Sequence, residues 1–167
     1  MIDNPLQRIR SIADYQFGRS TGEVVFPNSV NISVSSRTGR LRYIHLNGKL
    51  LATLRPTDGL FSLTLEGARR IMLIKPHRSW VKIQIIAADF IAAGKSVFAK
   101  HVADCDMEIR PEEEVVVIDD RLRVLAVGRA VLTGEEMKSF KSGVAVRVRR
   151  GASQDLQAQK MKVKKEK

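Results

Sequence analysis

The sequence predicts an α+β, β-rich fold in two parts, with a small α+β N-terminal domain over 1–78, a barrel-like domain over 79–151 and a basic tail over 152–167. Three observations predict it. Segments with helical spacing of apolar residues bracket a set of short β-rich runs in the first half. The second half is dominated by short Val/Ile/Leu runs broken by Gly and Asp, with room for only one or two small helices. Between them, Lys75-Pro76-His77-Arg78-Ser79 is polar and contains a proline, as domain joints often do.

Asn4 reads as an N-cap with Pro5 at the first helical position, and Leu6, Ile9, Ile12 and Ala13 recur at helical spacing until Gly18. From Glu23 to Thr53 the pattern changes to strands at Val24–Phe26, Ile32–Val34, Leu41–Leu46 and Leu50–Leu54, punctuated by Pro27-Asn28, Thr38-Gly39 and Asn47-Gly48. Asn47-Gly48 between two alternating runs is a strong hairpin signal, because both residues tolerate the left-handed backbone of a tight turn. After the turn-rich Arg55–Gly59, the positions Leu65, Ala68, Ile71 and Met72 return to helical spacing.

In the second half the runs predict a strand at Val81–Ile86, a short helix at Ala87–Ala93 closed by Gly94, and strands at Val97–Ala99, Val115–Ile118, Leu122–Ala130 and Gly143–Arg149. The stretch from Ala152 to Lys167 lacks aromatics and is rich in lysine (Lys160, Lys162, Lys164, Lys165, Lys167), so it reads as a flexible basic tail.

A formal net charge of +11 biases the chain toward polyanions, with nucleic acid first and acidic membrane surface second. The charge is bipolar: residues 1–80 carry 12 Lys/Arg against 5 Asp/Glu, 81–146 carry 9 against 11, and 147–167 carry 8 against 2. The positive surface therefore belongs to the two ends. No apolar run reaches the length of a membrane span, and the N-terminus lacks the basic and apolar regions of a signal peptide, so the expected location is cytoplasmic. A single cysteine, Cys105, excludes an intrachain disulfide and a four-cysteine zinc site.

Catalytic and metal signals are thin. His101 and Cys105 stand four apart but fall in a strand-to-loop region without further ligands of the right type. Asp104, Asp106, Glu108 and Glu112 to Glu114 lack the glycine and spacing of a calcium loop and read as a solvated acidic stretch. There is no Gly-rich phosphate loop and no serine elbow. The expectation is a non-enzyme with no metal and no cofactor.

Ala88-Asp89-Phe90-Ile91, Gly94 to Ala99, Glu114 to Val117, Leu125 to Ala130 and Gly143 to Arg149 together resemble a PUA domain, the pseudo-barrel RNA-binding module of tRNA- and rRNA-modifying enzymes. Two departures stand out: Lys100-His101 where the family often has Pro-Gly, and Glu112-Glu113 where it often has a glycine. The first half resembles the domain that precedes the PUA domain in archaeal archaeosine tRNA-guanine transglycosylases and in archaeosine synthase. That likeness rests on Tyr15-Gln16-Phe17-Gly18, Ser36 to Arg42 and above all Leu51 to Thr64. The catalytic barrel of those enzymes, with its aspartates and zinc site, has no counterpart here.

The PUA resemblance implies that the last strand and the loop after the first helix line an RNA groove. This nominates Lys95, Ser96, Lys100, His101, Arg129, Arg147, Arg149 and Arg150. By strand period, Arg147 and Arg149 share one face and Val146 and Val148 the other, although a solvated charged face would look the same. Arg40 and Arg42 share a face beside a hairpin turn and join the list, with plain solubility as the other reading. Arg55 reads as pinned by Asp58. The function expected is a non-catalytic, tRNA-directed binding protein, an accessory to archaeosine-type modification that works with a separate catalytic chain or alone. The alternative is a protein-interaction module docking on an enzyme or ribosomal partner, with only non-specific RNA contact.

Overall fold

The computed structural model describes residues 4–165. The chain divides into two compact units, Met1–Arg78 and Ser79–Lys167.

The first unit opens with α1 (Pro5–Phe17), whose first turn is capped by the Asn4 side chain accepting from the Leu6 and Gln7 amides at 3.1 and 3.3 Å. Its apolar stripe, Ile9, Ala13 and Phe17, is buried. The run Val24-Val25-Phe26, expected as a strand, belongs instead to a second short helix, α2 (Thr21–Val25), and its C-cap. The carbonyls a strand would offer to a neighbour are taken by side chains: Arg70 donates to Val24 and Val25, and Arg10 to Phe26 at 2.8 Å. Asp14 accepts the Gly22 amide at 2.7 Å, and a Cβ at Gly22 would stand 2.4 Å from the Arg10 carbonyl, so α2 packs against α1 at a distance only glycine permits.

Four strands then form an antiparallel meander: β1 (Asn31–Val34), β2 (Leu41–Leu46), β3 (Lys49–Leu54) and β4 (Phe61–Leu63). Asn47 and Gly48 both have positive φ, as the hairpin signal requires. The strand β4, which periodicity did not reveal, is held by Gln16: its amide donates to the Phe61 carbonyl at 2.9 Å and accepts from the Phe61 amide at 2.7 Å. The helix α3 (Leu65–Ile71) closes the unit, capped by Thr64. Phe26 and Phe61 meet at 5.1 Å, tilted by 55°, in its core.

The second unit is a six-stranded sheet in the order β6-β10-β9-β8-β5-β7, comprising β5 (Trp80–Ile83), β6 (Val97–Phe98), β7 (Val102–Cys105), β8 (Glu114–Ile118), β9 (Val124–Ala130) and β10 (Val144–Gly151). Only β5 and β8 pair in parallel. The edge strands β6 and β7 are consecutive in the chain, joined by one 3-10 turn over Ala99–His101, so the two edges are drawn together into a nearly closed pseudo-barrel. All of β8 is buried. Val81, Ile83, Ile91, Val97, Val115, Val117, Ala126 and Val146 are among the side chains that fill the interior.

Two helices, α4 (Ala88–Ala92) and α5 (Gly134–Ser139), cover the barrel. The stretch expected as a flexible tail is instead helical over its described part, α6 (Ala152–Lys165); Lys167 lies outside the described residues. Ala, Gln, Lys, Leu and Met are the strongest helix formers, so the very composition that lacks core residues favours a helix. The Gln154 side chain anchors its start by accepting the Gly151 amide at 2.9 Å, and Arg150 pairs with Asp155 at 2.6 Å. No residue of α6 is buried.

Candidate nucleic-acid interface

The edge formed by β6 against β10 gathers most of the nominated residues. The strands run antiparallel, with Val144 opposite Phe98 and Val146 opposite Val97, and the Ala99 amide donates to the Gly143 carbonyl at 2.9 Å. Gly94, just before Lys95 and Ser96, lies against the end of β10: a Cβ added to Gly151 would fall 2.7 Å from the Gly94 nitrogen. The loop Gly94-Lys95-Ser96 therefore flanks the Arg147–Gly151 end of β10, while Lys100 and His101 sit at the Gly143 end. Lys95, Lys100 and Arg147 are exposed, and none has a carboxylate partner among the described residues.

The other cations on this sheet are engaged. Arg129, on β9, stands directly between Glu114 on β8 and Arg147 on β10, and its guanidinium pairs with Glu112 at 3.4 Å. The β10 register shifts between Val148 and Arg150, so strict alternation does not persist through Arg149. Arg149 grips Glu114 with both guanidinium prongs, one contact at 3.0 Å, and the Glu114 carboxylate is fully buried. Arg150 is tied to Asp155 of α6. Val148, on the opposite face, is half-buried and packs against the barrel core. Of the three arginines on the last strand, Arg147 is the one with no such tie.

Two aromatics that residue-by-residue charge reading passed over also flank this edge, Phe90 and Phe98, 66% and 45% exposed. Alternation in Lys95 to Ala99 was the available signal: Val97 and Ala99 are buried, which turns Phe98 outward. Exposed rings beside cations are what single-stranded RNA bases stack on.

The acidic stretch serves the scaffold. Asp106 accepts the Ser79 amide at 2.7 Å and the Glu108 amide at 3.0 Å, and Asp104 pairs with Lys138 at 2.9 Å. That hydrogen bond from Lys138 comes first among the causes that hold the Asp104 carboxyl below its ordinary range. Cys105 is buried and donates to the Gly134 carbonyl at 3.3 Å; burial first, then the charge of Asp104, pushes its thiol up to about 11. Among the described residues, no three His, Cys, Asp or Glu side chains are gathered to hold a metal ion.

Arg40 and Arg42 lie in the other unit, where both line a groove of about 630 Å³ between the start of α1, the β1–β2 turn and the Arg55–Gly59 turn. Arg55 is clasped there by Asp58, with contacts of 2.8 to 3.1 Å, as its spacing predicts. The Arg42 guanidinium lies over the Tyr43 ring at 5.4 Å, while its Nε is buried with no hydrogen-bond partner among the described residues. An orphaned buried donor costs about 1–3 kcal/mol, so such groups cluster where a ligand or water completes the site.

Comparisons with known proteins follow the two units. A model of the patch-forming domain C2 of tRNA-guanine transglycosylase matches residues 7–77, and a PUA domain model matches 80–152. The tRNA-guanine(15) transglycosylase of Methanothermobacter thermautotrophicus is 41% identical over 147 residues, 87% of this chain and 22% of that protein. That of Thermococcus kodakarensis is 43% identical over 144 residues, 86% of this chain and 24% of that one. The chain thus spans about a quarter of the length of these curated relatives. Among solved structures, a hypothetical protein of Pyrococcus horikoshii superposes with a TM-score of 0.72 at 22% identity, covering 88% of this chain and 89% of that one. A conserved PUA domain protein of Thermoplasma acidophilum reaches 0.63 at 18% identity, covering 87% and 86%. Both show the fold alone.

Proposed function

Since the chain carries a C2 patch-forming domain of the tRNA-guanine transglycosylase kind followed by a PUA domain, we propose that it is a non-catalytic RNA-binding protein directed at tRNA. It acts in the cytoplasm as an accessory or docking subunit for archaeosine-type modification, with a separate catalytic transglycosylase chain as partner. The observation that carries this reading is the β6–β10 edge, which carries exposed Lys95, Lys100 and Arg147, without carboxylate partners among the described residues, and exposed Phe90 and Phe98. Cations neutralise phosphates and release counterions, and rings accept unstacked bases. Lys95, Ser96, Lys100, His101 and Arg147 are the proposed contacts. Arg129, Arg149 and Arg150 contribute field while remaining tied to carboxylates. The relatives' names supply the class of RNA.

The test is direct. Purified chain is titrated with tRNA, then incubated with tRNA and labelled guanine. Salt-sensitive binding without guanine incorporation above a heat-killed control supports the reading, and incorporation overturns its non-catalytic part.

One observation favours the second reading, a protein-docking module. Ile85 and Ile86, before α4, are 75% and 74% exposed, and Phe90 follows them on that helix. Exposed apolar groups so close together are characteristic of protein contacts. Recovery of a protein partner whose binding survives nuclease treatment and is lost in Ile86→Asp distinguishes the two.

A further inference from the structure

The groove of the first unit differs in kind from the β6–β10 edge, because it is concave. Its volume of about 630 Å³ falls within the range of small-molecule pockets and far exceeds what one oxyanion fills. Arg8, Arg40, Arg42 and Arg55 line it, and among the described residues no carboxylate does. Arg55 is already balanced by Asp58, so it shapes the wall. Arg40 and Arg42 have no carboxylate partner among the described residues, and the buried Nε of Arg42 is an unmet donor. The Arg42 guanidinium makes a cation–π contact with the Tyr43 ring at 5.4 Å, and its planar fork suits the two-pronged recognition of phosphate.

Besides the arginines, the lining combines apolar Ile12, Leu54 and Pro56 with polar Ser35 and Thr38. A shallow hollow adjoins it, sharing Arg8, Ile12 and Gly59, and is bordered by Tyr15, which is 84% exposed. Ile12 and Tyr15 are three apart on α1 and share a face. The arginines, the mixed lining of Ser35, Thr38, Ile12 and Leu54, and the exposed ring at the lip offer surfaces that match phosphate, ribose and base.

We propose that this groove binds a single unpaired nucleotide of an RNA chain, with its phosphodiester on Arg40 and Arg42 and its base stacked on Tyr15. Stacking on Tyr15 does not distinguish one base from another, so the site takes any base, as stacking platforms do. The proposal takes its ligand class from the RNA-binding reading and adds a contact on the domain that reading leaves without one.

The test uses the full chain and a single-stranded RNA tetramer carrying one 2-aminopurine, whose fluorescence falls on stacking. Quenching is expected with the parent and with Tyr15→Phe. It should be lost with Tyr15→Ala, together with an affinity drop of about 5- to 150-fold, the range for one stacked base. Arg42→Met should lower affinity and reduce the slope of log affinity against log salt by about 0.7, the value for one phosphate on a single strand. Arg40→Ala, at an exposed turn, gives the same readout without burden on the fold. Competition by inorganic phosphate with no effect of Tyr15→Ala means an anion site only, and overturns the nucleotide. Unchanged tetramer and tRNA binding in Tyr15→Ala and Arg40→Ala overturns this site while leaving the RNA-binding reading intact. Absence of all RNA binding by the parent overturns both.

Discussion

Glu114 and Arg149 form a two-pronged ion pair in which the carboxylate is fully buried and the guanidinium 38% exposed. Arg149 therefore caps a buried charge on β8 while its neighbour two residues back faces solvent. Replacing Arg149 by alanine strips this guanidinium from a buried carboxylate, and stability should fall by about 3–5 kcal/mol. A urea midpoint within error of the parent would show that the pair holds nothing. Loss of RNA binding in Arg149→Ala thus reports on folding before it reports on contact.

Arg147 is the cleaner probe. It is exposed on the same strand and has no acidic partner among the described residues. Arg147→Ala should shift stability by no more than about 0.5 kcal/mol. Affinity for tRNA should nevertheless drop, with a salt slope shallower by about 0.7–0.9. Binding curves at several salt concentrations check this, and identical slopes would remove Arg147 from the interface.

How far these roles were legible in the sequence depends on what each signal measures. Period-two alternation marked Arg147 and Arg149 as outward, and both are exposed; it could not register Glu114, thirty-five residues away, reaching the same point across two strands. Spacing alone placed α1, β2 and the Asn47-Gly48 hairpin, because capping and turn chemistry are local. The segment of α2 reads as a strand because Val-Val-Phe is β-prone by itself, whereas the arginines that claim its carbonyls come from α1 and α3. The helix α5 has a signal of its own in the sequence, the capping box of Thr133 and Glu136, but too few turns for an apolar period to mark it. In the groove of the first unit, hairpin spacing pointed to Arg40 and Arg42, whereas Arg8 and Tyr15 join it only through the packing of α1.

Asp119 organises the β8–β9 turn, accepting from the Arg121 and Arg123 amides at 2.9 Å and from the Arg123 guanidinium at 2.7 Å. Burial alone would raise its pKa, but these donors hold it below the ordinary 3.8. A depressed folded value means the carboxylate stabilises the fold in full above that ordinary value, and the contribution is lost as pH falls through the folded one. Asp119→Asn should cost about 1–3 kcal/mol at neutral pH and lose that acid-side dependence. Melting curves from pH 7 down to pH 2 decide it: parallel curves for parent and variant would sink the assignment.

Cys105 should behave as an inert thiol. Burial carries its pKa to about 11, so at pH 8 the thiolate is scarce as well as shielded. A maleimide added to native protein should label it only at the rate of unfolding, and rapidly in denaturant. Stoichiometric native labelling within minutes would mean that the β7 region opens.

The helix α6 tests how much affinity is sequence-blind. Its later turns carry Lys160, Lys162, Lys164 and Lys165, and no aromatic residue lies along it, so it offers charge without a surface for bases. Its first turn is structural, through Gln154 on the Gly151 amide and Asp155 on Arg150. A chain ended after Leu156 keeps those contacts and loses the lysines, so its melting temperature should stay near that of the parent. Affinity for tRNA and for an unrelated RNA should fall by the same factor, because phosphate neutralisation does not distinguish sequences, and both salt slopes should flatten. A loss confined to tRNA would mean that α6 recognises shape, and an unchanged slope would mean that its lysines never reach phosphate.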